Sequence, residues 1–389
     1  MRGKGKSVCY RNVASRWIRS WSLACVFSAI AAGLGGCDDS WKSAGGGDYD
    51  DFGLGKVVSM NFTSEEISCM RSSTYAKPAV RTAVFIDGKL YPASVSFSGA
   101  TSVDDYRKNY EVVLDNPYRG RHVYRINSMP TDSSASRAML SYTVFERMGF
   151  DMPHYEPMAL WINDEYAGLY LWQEKIDETY FTLRGKEPVS LYQAEDSVAR
   201  MDDTANLEEE FSVKIGSKEM VDLKYVVQLL MTAEGEQKCA RLSQVLDVDS
   251  VLRYMAVAAY LASHDGIVNN FYLARVKGDQ RLSILPWDLD RTFMGTVDMA
   301  DGEFFSRNMM MSSFWSEDGP YGELYRNYYV KTRRVADAAF LENVLDEWAS
   351  FVREAYENDP FLSTGAMTLD EHISEIKGHI EQTNAAVAE

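Results

Sequence analysis

The chain has 389 residues, of which 46% are hydrophobic and 12% aromatic, a composition typical of a globular protein with a large core. Its formal net charge of −17 at pH 7 argues against nucleic acid as a partner, because a phosphate backbone is bound by clustered cations. With five histidines and five cysteines in no CxxC pattern, the sequence also argues against a zinc site.

The first 36 residues have the pattern of a secretory signal. They contain six basic residues and no acidic ones, and they end in the uncharged stretch SWSLACVFSAIAAGLGG. This stretch runs into LGGC, which resembles a bacterial lipobox with Cys37 as the lipidated residue. We therefore expect an extracytoplasmic protein, anchored by lipid to a bacterial membrane, whose net charge after cleavage is −23. An ordinary signal with a chance cysteine, or an uncleaved N-terminal anchor, is the alternative.

Residues 37–55 are rich in Gly, Asp and Ser and have no periodic apolar face, which predicts a flexible tether. After signal removal and lipidation, the remaining cysteines are Cys69 and Cys239. These two either form a disulfide in an oxidising compartment or remain thiols, and the sequence leaves both alternatives open.

Strand patterns dominate residues 56–177, for which we predict a β-rich N-lobe with a mostly antiparallel sheet. The helical spacing in DSSASRAMLSYTVFERMG predicts one inserted helix, with Asp132 or Ser133 as N-cap and Gly149 as C-cap. A later hairpin is indicated at Asp164-Glu165. The strand segments, in chain order, are KVVSMNF, VRTAVFID, YPASVSFSG, NYEVVLD, EPMALWIN and YAGLYLWQEK.

Helical patterns dominate residues 178–389, for which we predict a mostly helical C-lobe. Apolar faces at helical spacing occur in EMVDLKYVVQLLMTA and DVDSVLRYMAVAAYLASHD. The tail from about residue 320 has a helical and charged pattern. Between these helices and the tail, NNFYLARVKG and QRLSILPWD predict a hairpin that turns at Gly278-Asp279. The whole chain is therefore expected to be an α+β protein with two lobes and a cleft between them.

Three polar residues occur in an order that suggests phosphoryl transfer. Asp265 follows an apolar helix, Asn270 comes five residues later, and Asp288 ends the next hairpin in ILPWDLDRTFMG. Kinase machinery has this order of a base-type Asp, an Asn on a second metal ion and a metal-binding Asp. Each residue alone has a simpler explanation, such as capping a helix end, bonding backbone groups or closing a turn.

Asp290 lies two residues after Asp288 and is expected to stabilise the turn or to act as a secondary ligand. The two aspartates also suggest a hydrolytic pair, but i, i+2 positions in an extended segment lie on one wall. A glycosidase pair flanks its substrate, so this third interpretation is disfavoured.

Five segments resemble the spore coat protein H (CotH-type) kinase family over roughly residues 80–295. The resemblance implies a divergent protein-kinase-like fold in which Asp265 is catalytic, Asp288 binds Mg²⁺ and Asn270 completes the metal site. It further implies Mg²⁺ and ATP as cofactors and a Ser or Thr hydroxyl of another protein as acceptor. The segments are SFSGATSVDDYRKNYEVVLD, DSSASRAMLSYTVFERMGF, LWINDEYAGLYLWQEKID, HDGIVNNFYL and ILPWDLDRTF.

The resemblance assigns three more residues to the nucleotide: Lys108 to the phosphates, and Gln173 and Glu174 to the adenine. The sequence departs from the family pattern after the second aspartate, where Met294 separates Phe293 from a glycine. Since an exported protein meets little ATP, the alternative function is a non-catalytic surface lipoprotein. Such a protein would use the kinase-like fold as a binding or adhesion module for a cell-surface partner.

Overall fold

The structure is a computed structural model that describes residues 49–73, 76–99, 107–195, 199–295, 297, 302–315 and 321–385. The predicted signal peptide, Cys37 and most of the predicted tether lie outside the described residues. The chain divides into two compact units, and the larger one comprises Gly46–Glu389. In the described part of the chain, no helix has the length and apolar character needed to cross a membrane.

Eleven strands lie within the described residues. They are β1 Val57–Met60, β2 Val80–Ile86, β3 Lys89–Ser98, β4 Asn109–Tyr118, β5 Arg121–Asn127, β6 Tyr155–Ile162, β7 Glu165–Glu174, β8 Pro188–Ala194, β9 Phe211–Ile215, β10 Phe271–Val276 and β11 Ser283–Pro286.

The first seven strands form a closed barrel in the order β1-β2-β3-β4-β5-β7-β6. Neighbouring pairs are antiparallel, as predicted, except that β1 pairs with β6 in parallel and thereby closes the barrel. Alternate side chains, among them Val112, Tyr124 and Trp172, fill the barrel interior. The other face of β6 and β7, with Tyr155 and Leu171, packs against the helical core.

Twelve α-helices lie within the same described ranges. They are α1 Ser64–Arg71, α2 Ser136–Arg147, α3 Glu178–Thr182, α4 Leu207–Glu210, α5 Val221–Thr232, α6 Gly235–Leu242, α7 Val248–Tyr260, α8 Asp265–Val268, α9 Met309–Phe314, α10 Gly322–Val335, α11 Ala338–Glu357 and α12 Leu369–Ala385.

Helix α2 is the predicted inserted helix, but it begins later than its predicted N-caps. Ala135, in the left-handed conformation at φ 53°, precedes the first helical residue and makes no side-chain cap. The carboxylate of Asp132 instead accepts hydrogen bonds from the backbone N–H groups of Arg137 and Ala138, at 2.8 and 3.1 Å. Asp132 therefore satisfies the free helix donors from outside the cap position. The predicted C-terminal glycine, Gly149, follows α2 at φ 88°.

The second sheet has four antiparallel strands in the order β11-β10-β8-β9. The β10–β11 hairpin was predicted, whereas β8 and β9 were not. One face of this sheet contributes Leu191, Tyr272 and Trp287 to a small separate core beneath α3.

The main hydrophobic core crosses the predicted lobe boundary at residues 177 and 178. It includes residues from Leu54 to Ile380 and buries nearly all of α2 together with the helical part of the chain. The barrel interior, by contrast, is a core of its own. The two-lobed arrangement stays a prediction, whereas the mixed α+β class is what the structure shows.

The end of the predicted tether packs onto the barrel. Rings of Tyr49 and Phe52 stack on Trp161 with centroid separations of 5.0 and 6.4 Å, and Leu54 is buried. Residues 49–55 are therefore part of the folded body and not of a tether. Cys69 and Cys239 are free thiols, so the alternative of a disulfide between them is not realised.

Candidate functional site

Asn270 and Asp288 meet where β10 begins and β11 ends. The N–H of Trp287 donates to the Asn270 carbonyl at 3.0 Å, and the Asn270 side-chain amide donates to the Asp288 carbonyl at 2.8 Å. Both residues have left-handed backbones, at φ 53° and 52°. This conformation is uncommon outside glycine, and Asn and Asp tolerate it best because their short polar side chains bond locally. Asn270 and Asp288 therefore lie side by side at this end of the hairpin.

Asp265 opens the short helix α8, directly after α7, and its side chain is about one-third exposed. The guanidinium of Arg291 lies 3.7 Å from its carboxylate. The charge of Asp265 raises the pKa of both Asp288 and Asp290, although burial is the larger cause for each. The structure therefore brings Asp265, Asp288 and Asp290 into one electrostatic neighbourhood.

The aspartates at the end of β11 are enclosed by protein but keep some contact with solvent. Burial raises the pKa of Asp288, against the opposing effect of the Arg125 guanidinium. Burial also raises the pKa of Asp290 well above its ordinary value, and Asp288 and the buried Asp132 add to the rise. Mutual repulsion of carboxylates in a site of this kind is relieved by a proton or by a cation.

The side chains around Asp288 can supply some of the ligands of a Mg²⁺ ion, but not a full coordination shell. Within the described ranges, no group of three or more His, Cys, Asp or Glu side chains is arranged to hold a metal ion. Mg²⁺ needs no such group, since it binds one or two carboxylates and completes its shell with water and phosphate oxygens. Asp288, with Asp290 or the Asn270 amide oxygen beside it, supplies ligands of this type.

Gln173, predicted to contact the nucleotide, is linked to the aspartates through Tyr142. Its side-chain amide donates to the Tyr142 hydroxyl at 2.6 Å. Burial raises the pKa of Tyr142, and the charges of Asp288 and Asp290 raise it further, so Tyr142 stands between Gln173 and the aspartates. The other amide atom, Oε1, is buried and has no hydrogen-bond partner among the described residues.

Glu174 does not share this position, although it was predicted together with Gln173 to lie near the adenine. Consecutive strand residues point to opposite faces, so Glu174 lies on the other side of β7 from Gln173. Its carboxylate accepts from the His154 N–H at 3.0 Å and pairs with Arg184 at 2.9 Å and Arg121 at 3.3 Å. Burial alone would raise the pKa of Glu174, but these partners outweigh it and lower the pKa. These contacts give Glu174 a structural role.

Lys108 lies just before β4, and its ammonium is 5.9 Å from the ring centre of Phe97, a residue of the barrel interior. Asp288 interacts electrostatically with Arg291 and, more strongly, with Arg125, which was not among the predicted site residues. Its guanidinium carbon is 5.1 Å from the ring centre of Trp287, and its charge lowers the pKa of Asp288. Arg125 was missed because β5 was not predicted as a strand.

Arg125 stands directly opposite Gln173 in the β5–β7 register and opposite Glu111 in the β4–β5 register. The buried Nε of Arg125 has no hydrogen-bond partner among the described residues, like the Oε1 of Gln173. Lys175 pairs with Glu111 at 2.7 Å, and the Arg125 charge helps burial to lower the pKa of Lys77. Arg125 therefore lies on a side of the barrel that carries further basic residues, and its charge acts on Asp288, which fits a polyanionic ligand bound with a metal ion.

A cleft of about 530 Å³ lies elsewhere, beside β8 and the first turn of α5, and Asp222 and Arg275 are among its lining residues. None of the predicted site residues lines it. The His264 ring packs against that of Phe304, with 5.2 Å between the ring centroids.

Comparison with known proteins gives a family match over most of the chain. The family model described as CotH kinase protein matches residues 95–387. Inner spore coat protein H of Bacillus subtilis (strain 168) is 26% identical over 221 residues, which cover 54% of this chain. The match spans 60% of the length of that curated relative.

Two solved structures are similar at low scores. The proinflammatory kinase CtkA of Helicobacter pylori gives a TM-score of 0.35 with 10% identity, over 71% of this chain and 90% of that one. The HipA, HipB and operator DNA complex of Shewanella oneidensis MR-1 gives a TM-score of 0.37 with 9% identity, over 84% of this chain and 72% of that one. At such scores neither structure bears on function.

Proposed function

We propose that this chain, which belongs to the CotH kinase protein family, is an Mg²⁺/ATP-dependent kinase acting on Ser or Thr hydroxyls of another protein. The observation that carries the proposal is the joint position of Asp265, Asn270 and Asp288. Asn270 is hydrogen-bonded to Asp288, 18 residues later in the chain, and the charge of Asp265 acts on Asp288, which supports the order that phosphoryl transfer uses.

Asp265 has the exposure that a base-type residue needs, since a hydroxyl can approach its carboxylate. In the proposed reaction it orients the acceptor hydroxyl and accepts its proton. Asp288 and Asn270 would hold Mg²⁺, which neutralises phosphate charge when bound. Arg125 would stabilise the charge of the transferred group from the barrel side. The nucleotide roles of Lys108, Gln173 and Glu174 stay predictions.

The proposal includes lipid anchoring through Cys37 to a bacterial membrane, outside the cytoplasm, at the cell surface or in the periplasm. It is supported by the basic and apolar pattern of residues 1–36 and by the LGGC sequence. The same pattern favours the second candidate, a binding module without catalysis, because ATP is scarce outside the cytoplasm. Calorimetry with ATP and Mg²⁺ separates the two, since a pure binding module would bind no nucleotide at millimolar concentration.

Phosphate incorporation from labelled ATP into a general protein acceptor tests the kinase directly. We expect Asp265→Asn and Asp288→Asn to reduce incorporation at least about 100-fold, because each removes a charge that acts on the reacting groups. Asp279→Asn is the matched control, as Asp279 lies at the opposite end of the same hairpin and pairs with Arg281. Equal incorporation in all three variants would refute the assignment.

A further inference from the structure

A buried arginine from another helix holds the segment that follows the two aspartates. Arg137 of α2 is 3% exposed. Its Nη1 donates to the carbonyl groups of Thr292 and Phe293, at 2.9 and 2.8 Å. These carbonyls lie two and three residues after Asp290, so one guanidinium fixes the chain immediately beyond the aspartates.

The same short segment is bonded on its other sides. The Thr292 hydroxyl lies 2.7 Å from the Ser141 hydroxyl, one turn along α2 from Arg137. The Phe293 N–H donates to the Leu261 carbonyl at 2.7 Å, and Leu261 lies four residues before Asp265. Phe293 therefore links two parts of the structure. Its N–H bonds Leu261, shortly before Asp265, and its carbonyl accepts from Arg137.

Arg137 is itself held from the C-terminal helix. Its Nη2 lies 3.0 Å from a carboxylate oxygen of Glu375 in α12, whose side chain is 39% exposed. The planar guanidinium thus contacts two successive carbonyls and one carboxylate at once. Lysine offers a single ammonium in place of this fork and cannot reproduce all three contacts.

We propose that Arg137 is a positioning residue, which sets the distance between Asp265 and the Asp288–Asp290 segment, and that Glu375 holds Arg137 in place. This inference rests on the kinase function proposed above. It assigns to the C-terminal helix a part in the geometry of the site, although that helix contributes none of the predicted site residues.

Arg137→Met, Arg137→Lys and Glu375→Gln test the inference, with Arg147→Met as the matched control. Arg147 also lies on α2 and donates to a backbone carbonyl, that of Val335, but away from the aspartates. For each variant the measurements are kcat, KM for Mg·ATP, thermal unfolding, and hydrogen exchange of residues 288–295.

We expect Arg137→Met to lower kcat about 10- to 100-fold, because small displacements of reacting groups have effects of this size. Hydrogen exchange in residues 288–295 should accelerate in the same variant. Arg137→Lys should recover part of the loss, and Glu375→Gln should show a smaller change in the same direction. Arg147→Met should lower thermal stability without changing either kcat or exchange in this segment.

Two outcomes would overturn the positioning role. One is an Arg137→Met protein with unchanged kcat and unchanged exchange; the other is an equal loss in Arg147→Met, which would indicate general destabilisation. If Arg137→Met does not fold, Glu375→Gln decides by the same two measurements. Failure of the kinase function is distinct, because it appears as absent phosphate transfer in the wild-type protein.

Discussion

Asp132 binds the first turn of α2 and has an unusually high pKa for an aspartate. Its carboxylate is fully buried and accepts hydrogen bonds from the Ser134 hydroxyl and from the first turn of α2. Burial raises the pKa of Asp132 to about 7, even though the Arg137 charge and these hydrogen bonds work in the opposite direction. The folded protein therefore takes up a proton at Asp132 at a higher pH than the unfolded chain does.

The pH dependence of stability follows from this difference. Between about pH 4 and pH 7 the folded state binds more protons at Asp132, so its contribution to stability falls as pH rises. Asp132→Asn does not titrate, so the stability of the wild type relative to this variant should be higher at pH 5 than at pH 8. The expected change is on the order of 1.4 kcal/mol per unit of pKa difference.

Urea denaturation of both proteins at the two pH values provides the measurement. Asp115→Asn serves as a control, since the Arg81 hydrogen bond lowers the pKa of the exposed Asp115 and places its titration below this range. Parallel stability profiles for wild type and Asp132→Asn would show that Asp132 is ionised throughout.

At the level of single residues, the sequence predicted part of the site. The sequence singled out Asn270 and Asp288, which hairpin pairing brings together, whereas the catalytic and metal roles of Asp265, Asn270 and Asp288 stay predictions. Glu174 was grouped with Gln173, but strand alternation places the two side chains on opposite faces of β7. Arg125 was missed because its position depends on barrel register, which links residues distant in sequence.

Among the elements, strand β7 of the β6–β7 hairpin packs tightly against the C-terminal part of the chain. Gly168 has φ 123°, and a Cβ at this position would lie 2.7 Å from the Cγ of Asp359 and collide with its carboxylate. The Leu169 N–H donates to the same carboxylate at 2.9 Å. The glycine thus permits strand β7 to contact residues near the end of α11.

Gly168→Ala should therefore be strongly destabilising. Gly88→Ala is the comparison, since Gly88 also has a positive φ, of 75°, but a Cβ there would meet no atom within 4 Å. We expect the comparison variant to cost about 1–2 kcal/mol from backbone strain. Gly168→Ala should cost about 1–3 kcal/mol more, because its Cβ also displaces Asp359. Equal values from chemical denaturation would mean that Asp359 moves aside freely.

The predicted elements with strong local patterns are present. Helices α5 and α7, the β10–β11 hairpin and the first strands of the barrel all carry their own apolar periodicity. The strands β5, β8 and β9 were missed, and so was closure of the barrel. Parallel pairing of β1 with β6 joins segments about a hundred residues apart, so no local pattern reports it.

Across the whole molecule, a buried ion pair connects the barrel to the C-terminal part. Arg107, which precedes β4, lies 3.2 Å from Asp359, and the two side chains are 2% and 1% exposed. Arg107 also donates to the Leu169 carbonyl. Burial raises the pKa of Asp359, and the Arg107 charge opposes this rise.

Arg107→Met should lower the free energy of unfolding by about 3–5 kcal/mol, because it leaves a buried carboxylate without its cation. Arg81→Met removes a comparable pair, Arg81–Asp115 at 2.6 Å, in which the side chains are 60% and 46% exposed. That control should cost less than about 1 kcal/mol. Urea denaturation measures the free energy of unfolding of both variants. A similar small loss in both would show that the Arg107–Asp359 pair does not hold the barrel to the C-terminal part.

Closure of the barrel by β1 also protects the protein from aggregation. A closed barrel has no free strand edge, whereas an open sheet offers unpaired N–H and C=O groups to other chains. Val57–Met60 alone covers both β2 and β6. Proteolytic trimming that stops before Val57 leaves both neighbours paired, but trimming past Met60 uncovers two hydrophobic edges at once. The four residues of β1 are thus a safeguard against self-association as well as a part of the core.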